Sequence, residues 1–173
     1  MGRGKQFLNW VTVCIVEVPP RLLEEARRRG IDPVDLLAKA LSLDPGNRAE
    51  AHLELAEKFL SEGVRLAAED PVQASEKLYK AAEEAVKAIA IKLKLRVVEE
   101  VDARGSWVAA DLFNAVTEIS KKYGEEARLW WRAAWFLHVE GFHEARLSSE
   151  EVSLDIKYVK ALVELAGNIV RSR

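Results

Sequence analysis

The chain has one cysteine, Cys14, among 173 residues. That excludes an internal disulfide and any zinc site built on several cysteines, and it fits a reducing cytosol. Surplus charge is also scarce. The 26 Lys and Arg stand against 28 Asp and Glu, a net of −2, so no global field draws the protein to nucleic acid or to an acidic membrane, and any such contact needs a local patch. No apolar run approaches the roughly 20 residues of a membrane span, and no internal repeat or low-complexity stretch is present. The basic, then apolar start MGRGKQFLNWVTVCIVEV lacks a small-residue cleavage site and runs directly into Glu17, so we do not read it as a signal peptide. Strand-forming sequence is rare as well. VTVCIVEV (11–18) is the one good candidate, β-branched and stopped by Pro19 and Pro20. What remains is 49% apolar and 31% charged, a globular mix long enough for one ordinary core.

Everything after residue 18 reads as helix. PPRLLEEARRRG (19–30) opens on proline and closes on Gly30, a natural left-handed cap, with Leu22, Leu23 and Ala26 on one side. Asp32 caps and Pro33 opens a second short helix expected to turn Val34, Leu37, Ala40 and Leu41 inward. DPGN (44–47) is a break, which suggests a strand–helix–helix module over 1–45 and a main body over 46–173. In the body, Leu53, Ala56, Leu60, Val64 and Ala67 keep helical spacing, and Gly63 is tolerated there at about 1 kcal/mol against Ala. Asp70 and Pro71 then open a long alanine-rich helix with Ala74, Leu78, Ala81, Ala82, Ala85 and Ile89 as its buried stripe. Small residues there predict close antiparallel packing of these two helices. DARGS (102–106) reads as the next loop. Helices follow over 107–124, over EEARLWWRAAWFLH and, after a Ser148/Glu151 capping box, over the C-terminal stretch. The expectation is five helices in the body.

At three places the residues resemble a known family. DPVQASEKLYKAAEEAVKAIA, WVAADLF and LHVEGFHEARLSSEEV, in this order and spacing over roughly 48–166, resemble the PaREP family of archaeal paralogues, helical bundles similar to the HEPN superfamily. The upstream VPPRLLEEARRRGIDPVDLLAKALSLDP is similar to the leader such paralogues carry. The resemblance implies an all-α, HEPN-like antiparallel bundle with a small N-terminal appendage. It implies two functional types. Some HEPN proteins are metal-independent ribonucleases with an arginine and a histidine four to six residues apart, and others are non-catalytic partners of small nucleotidyltransferases.

The stretch RLWWRAAWFLHVEGFHEARLSSEEV (128–152) concentrates the candidate chemistry. Arg132 and His138 have five residues between them, and such a pair suits RNA cleavage: histidine moves the 2′-hydroxyl proton and the arginine fork holds phosphate. Against this, positions six apart on a regular helix differ by about 120°, and Ala133 stands where such nucleases carry a polar residue. The preferred reading is structural. Trp131, Ala134, Trp135 and His138 recur at three and four as one buried stripe ending on His138, with Trp130 at its rim. His143 and Glu144 are further acid–base candidates, read as lying in the loop before the last helix. A metal held by His138, His143 and Glu144 needs a fourth ligand from elsewhere, so no metal or cofactor is expected. His52, between Glu50 and Glu54, reads as a surface residue. The long helix VQASEKLYKAAEEAVKAIAIKLKL (72–95) carries Lys77, Lys80, Glu83, Glu84 and Lys87 on what reads as a solvated side. If a phosphate-bearing ligand binds the bundle, Lys80, Lys87, Arg128 and Arg132 are its candidates.

The N-terminal order strand–helix–helix is that of ribbon–helix–helix regulators, in which paired strands read the DNA major groove. Here the alternating strand faces are Val11, Val13, Ile15 and Thr12, Cys14, Val16, neither equipped to read bases. Seven basic and five acidic side chains leave residues 1–43 at +2, too little for tight phosphate binding. A strand that pairs with a second copy is the better reading, since an isolated strand needs an edge. The sequence therefore points to a non-enzymatic cytosolic helical interaction module, a homodimer that binds a nucleotide or partner protein. The alternatives are a ribonuclease using Arg132 and His138, and a DNA-binding regulator using residues 1–43.

Overall fold

Three aspartate–proline pairs set the frame. Asp32, Asp44 and Asp70 each precede a proline, and each carboxylate accepts backbone N–H groups of the turn it opens: Val34 at 2.9 Å, Gly46 at 2.8 Å and Gln73 at 3.0 Å. Such a cap contributes about 1 kcal/mol, and the proline supplies a ready helical φ where no N–H is needed. A computed structural model describes residues 19–172, and these form α1 (Pro20–Arg28), α2 (Pro33–Ala40), α3 (Pro45–Leu66), α4 (Pro71–Lys92), α5 (Arg96–Arg104), α6 (Ala109–Tyr123), α7 (Glu126–Phe136), a π-helical segment (Leu137–His143) and α8 (Ser149–Val170). The fold is all-α. The strand expected over 11–18 lies outside the described residues. Among them, no helix is long and apolar enough to cross a membrane.

Helices α3 and α4 pack along their length and antiparallel. Glu62 reaches Lys77 at 2.6 Å while His52, ten residues earlier, reaches Glu84, seven residues later. Gly63 is required at this seam. A Cβ there would lie 2.8 Å from Leu78 Cγ and 3.2 Å from the Leu78 backbone nitrogen. Helix α8 covers the pair, burying Val152, Val159, Leu162, Val163 and Ala166, while α6, α7 and the π segment close the other side of α4.

Helix α4 is consequently enclosed nearly all round, and the expectation of a solvated side fails there. Its alanine stripe is buried, and so are Val86, Ala88, Ala90, Glu83, Glu84 and Lys87. Small apolar residues on more than one face mark a helix packed on all sides. Two further corrections concern inward faces. Leu37, Ala40 and Leu41 are exposed, with Ala38 taking the buried place on α2, and Val64 is exposed on α3. The bundle also has six α-helices after residue 44 instead of five. Lys94, with φ +52, ends α4 in the left-handed region and lets α5 begin where a continuous helix was expected.

Candidate functional site

A break in helical register builds the first candidate. Beyond α7 the chain enters the π segment, in which Glu144 N–H donates to Val139 O at 2.9 Å, five residues back. Gly141 permits this segment to lie against α4, since a Cβ at that point would fall 2.2 Å from Ser75 Oγ. Hydrogen bonds closing from i to i+5 align residues five apart, so the partner that His138 meets is His143, not Arg132. The two Nε2 atoms stand 3.1 Å apart. On its other edge His138 Nδ1 lies 3.3 Å from Glu76 Oε2 of α4. Its ring stacks on Tyr79 at 3.9 Å between centroids, with Trp135 and Phe142 flanking. Burial lowers the basicity of His138, Glu76 opposes that, and His143 and Lys80 lower it further, leaving it below its ordinary value.

Trp131 is buried as expected, and Tyr79 and Phe113 pack on it. His138 is at the end of that stripe but half-buried, with its side chain 19% exposed. The other expected site residues disperse. Arg132 is exposed and makes no hydrogen bond or ion pair among the described residues. Arg128 pairs with Glu125 at 3.3 Å, Lys80 with Glu83 at 2.8 Å, and Glu144 with Arg146 at 2.9 Å. Lys80 and Lys87 lie on α4 and Arg128 and Arg132 on α7, and no shared carboxylate among the described residues joins the two pairs. His143 ends the π segment instead of lying in a loop.

The second feature was not foreseen. His52 is wholly buried, not on the surface. Its Nδ1 lies 2.6 Å from Glu84 Oε2 and its Nε2 3.1 Å from Asp35 Oδ1 of α2. Asp35 also receives Arg48 Nε at 2.6 Å and Trp107 Nε1 at 2.7 Å, and Arg48 reaches Asp102 at 2.9 Å. The Lys87 ammonium sits 2.7 Å from Asp32 and 2.8 Å from both Glu83 and Glu84. Burial pulls the basicity of His52 down, but its bonds to Asp35 and Glu84 outweigh this and raise it to about 9. Burial likewise pushes Glu83 up, yet Lys87 and Lys80 hold it down at about 2. Asp35 is also held well below the usual carboxylate range, because His52 and Arg48 overcome its burial. One donor atom from each of Asp32, His52 and Glu84 falls within 4.8 Å of the others, which is metal-ligand spacing. Lys87 bonds two of those three side chains, so an ammonium already holds the cation's place. The chemical role of this cluster is to fasten α2 onto α3 and α4. The lone signal in sequence was the acid–base pattern Glu83, Glu84 and Lys87 inside an alanine-rich helix.

Above the network, the turn after α1, α2, the start of α3 and α5 border a cleft of about 670 Å³ that includes Arg29, Leu36, Lys39, Leu43, Arg48 and Arg104. The apolar side chains of α1, α2 and the turn after α2 extend past it into solvent. Leu22, Leu36, Leu37, Leu41 and Leu43 are between 39% and 68% exposed.

The sequence pattern of the archaeal PaREP1/PaREP8 family matches residues 51–163 of this chain. Among solved structures, the chain is similar to a Sulfolobus solfataricus protein known from a crystal structure. The two share 41% identity over 71% of this chain and 96% of that one, with a TM-score of 0.57. A solution structure of the same target gives 40% identity over 72% and 92% of the two chains, with a TM-score of 0.55. No curated protein matches the chain.

Proposed function

The chain belongs to the archaeal PaREP1/PaREP8 family, and from that premise we propose that it is a non-enzymatic helical interaction module that pairs with a second copy of itself through its leader, residues 1–45. The observation that carries the reading is the leucine-rich outer surface of α1 and α2. Five leucines within 22 residues face water, whereas in the bundle Leu53, Leu78, Leu137 and Leu162 are fully enclosed and the exposed Leu129 and Leu154 lie 25 residues apart. An apolar surface of that density marks an interaction site. A second copy is the occupant because the residues immediately before α1, FLNWVTVCIVEV, are themselves apolar. Two copies would bring two such segments and two leucine faces together about one axis, in a self-complementary contact. The division at residue 45, the HEPN-like character of the bundle and a cytosolic setting are parts of the same proposal, supported by the family resemblance and by the single Cys14.

The ribonuclease alternative gains no support from His138, because the charged group within hydrogen-bonding distance of it is the Glu76 carboxylate and not the Arg132 guanidinium. The nucleotide reading through Lys80 and Lys87 is likewise weakened, since both ammonium groups are already matched by carboxylates.

Sedimentation velocity of the full chain tests the proposal. The wild type is expected to be a dimer at micromolar concentration. Leu37→Glu/Leu41→Glu should weaken association at least about tenfold with helical circular dichroism unchanged, as charges placed in a buried contact do. A wild type that stays monomeric, or a variant that dimerises equally well, overturns it. Cleavage of mixed RNA in EDTA that is lost in Arg132→Ala would restore the enzyme.

A further inference from the structure

We propose that His138 and His143 form an open chelating site for a divalent late first-row transition ion, of the zinc, nickel or copper class, with Glu76 as the carboxylate that orients His138.

Glu76 decides the tautomer. A carboxylate only accepts, so the hydrogen bond at 3.3 Å places the proton of neutral His138 on Nδ1. The Nε2 atom is then left with a bare lone pair, directed at the region where His143 Nε2 stands 3.1 Å away. Carboxylate, histidine and metal in a row is the usual outer arrangement of imidazole-bound ions, because it fixes the ring and strengthens its donor nitrogen. The ring is also fixed sideways by its stack on Tyr79.

The spacing suits such an ion. With metal–imidazole bonds of about 2.0–2.1 Å, two nitrogens 3.1 Å apart subtend about 98° at the metal. That lies between the right angle of an octahedral site and the tetrahedral angle, within reach of either after a small rotation of the exposed His143 ring. Imidazole pairs favour zinc, nickel and copper over magnesium or calcium, which want oxygen. The titratable groups facing His138 are Glu76, Lys80 and His143. Lys80 is turned to Glu83 at 2.8 Å, and Arg146 engages both Glu140 and Glu144. The remaining coordination positions are therefore left to water. The π segment supplies the register: on an unbroken α-helix, residues five apart are well off a common line.

The test is calorimetric titration of the full chain at neutral pH with zinc chloride and, separately, nickel chloride, together with cobalt(II) absorption in the visible. The wild type should bind one ion per chain and develop ligand-field bands. His143→Ala removes an exposed ring and should leave the helical spectrum intact, abolish those bands and weaken binding at least about tenfold. Glu76→Gln should weaken binding about 10–100-fold without removing a ligand. No binding by the wild type at millimolar metal overturns the site, leaving a plain hydrogen bond between two imidazoles. So does His143→Ala binding as the wild type does, which would move the ion to Cys14 or to His52. An affinity indifferent to Glu76→Gln overturns the orienting role.

Discussion

Helix α4 offers a carboxylate to each of two histidines, and they respond in opposite directions. Glu84 meets His52 at 2.6 Å, and Glu76 meets His138 at 3.3 Å. Burial penalises the charged imidazole at both sites. At His52 a second carboxylate, Asp35, joins the first, and two short bonds to anions overcome that penalty. At His138 the second neighbour is another imidazole, with an ammonium beyond it, and the penalty prevails. The sign thus follows from how many opposite charges face the ring and how closely. At neutral pH the first histidine is a cation that fastens helices together. The second is a neutral ring with a lone pair to offer. Residue type alone does not separate these roles.

The largest way to break the comparison is to remove the cation on which the first site depends. Lys87→Met keeps the bulk of the side chain but leaves Asp32, Glu83 and Glu84 facing one another without the ammonium. Removing one partner of a buried ion cluster costs about 3–5 kcal/mol. Urea unfolding at neutral pH should show a loss of that size, partly recovered in acid as the carboxylates protonate. A loss under about 1 kcal/mol would mean that water already enters the cluster.

Acidity tests the same site more gently. The folded chain keeps the His52 proton up to pH about 9, against an ordinary value of 6.5. The resulting stability is complete below pH 6.5 and disappears as pH rises through 9, a difference on the order of 3 kcal/mol. Glu83 acts in the opposite sense. It is held at about 2 from an ordinary 4.5, so its contribution is complete above pH 4.5 and is lost as pH falls through 2. The network should be firmest between pH 4.5 and 6.5. Urea midpoints of the wild type should fall from pH 6 to 9.5, and those of His52→Gln should stay nearly level. Parallel curves would show that His52 is not the group that titrates.

Much of this was legible in the sequence where the cause is local. The Asp–Pro caps at 32 and 70, the left-handed Gly30 and the Ser148 capping box each act within one helical turn, and each is found where expected, whereas the stretch 44–47, read as a break, already holds the Asp44 cap and the first turn of α3. What escaped depends on distance or on register. The end of α4 is hidden because Lys94, not glycine, takes the left-handed conformation. His52 looked superficial because its partner Asp35 lies 17 residues away and Glu84 lies 32 away. The π segment leaves the apolar pattern almost unchanged while bringing His143 into register with His138. Gly141 was its one local mark, and Gly63, read as a tolerated helix defect, proved to be a contact requirement.

Gly141 also gives the finest separation of the two regions. In Gly141→Ala the new Cβ meets Ser75 Oγ at 2.2 Å and Ser75 Cβ at 2.6 Å, so rotating the hydroxyl cannot relieve it and the backbone must withdraw. Overpacking of this kind costs about 1–3 kcal/mol. Withdrawal would carry the π segment off α4 and draw His138 away from Glu76 and Tyr79. The His52 network lies eight residues further along α4, at Glu84, and involves no residue of the π segment. The ring resonances of His138 and His143 should therefore shift in the variant while those of His52 stay in place. Movement of all three would mean that α4 transmits the disturbance along its length and that the two histidine sites are one mechanical unit. Movement of none would mean that the segment can absorb a methyl group, and that its close approach to Ser75 is not what sets the register of His138 and His143.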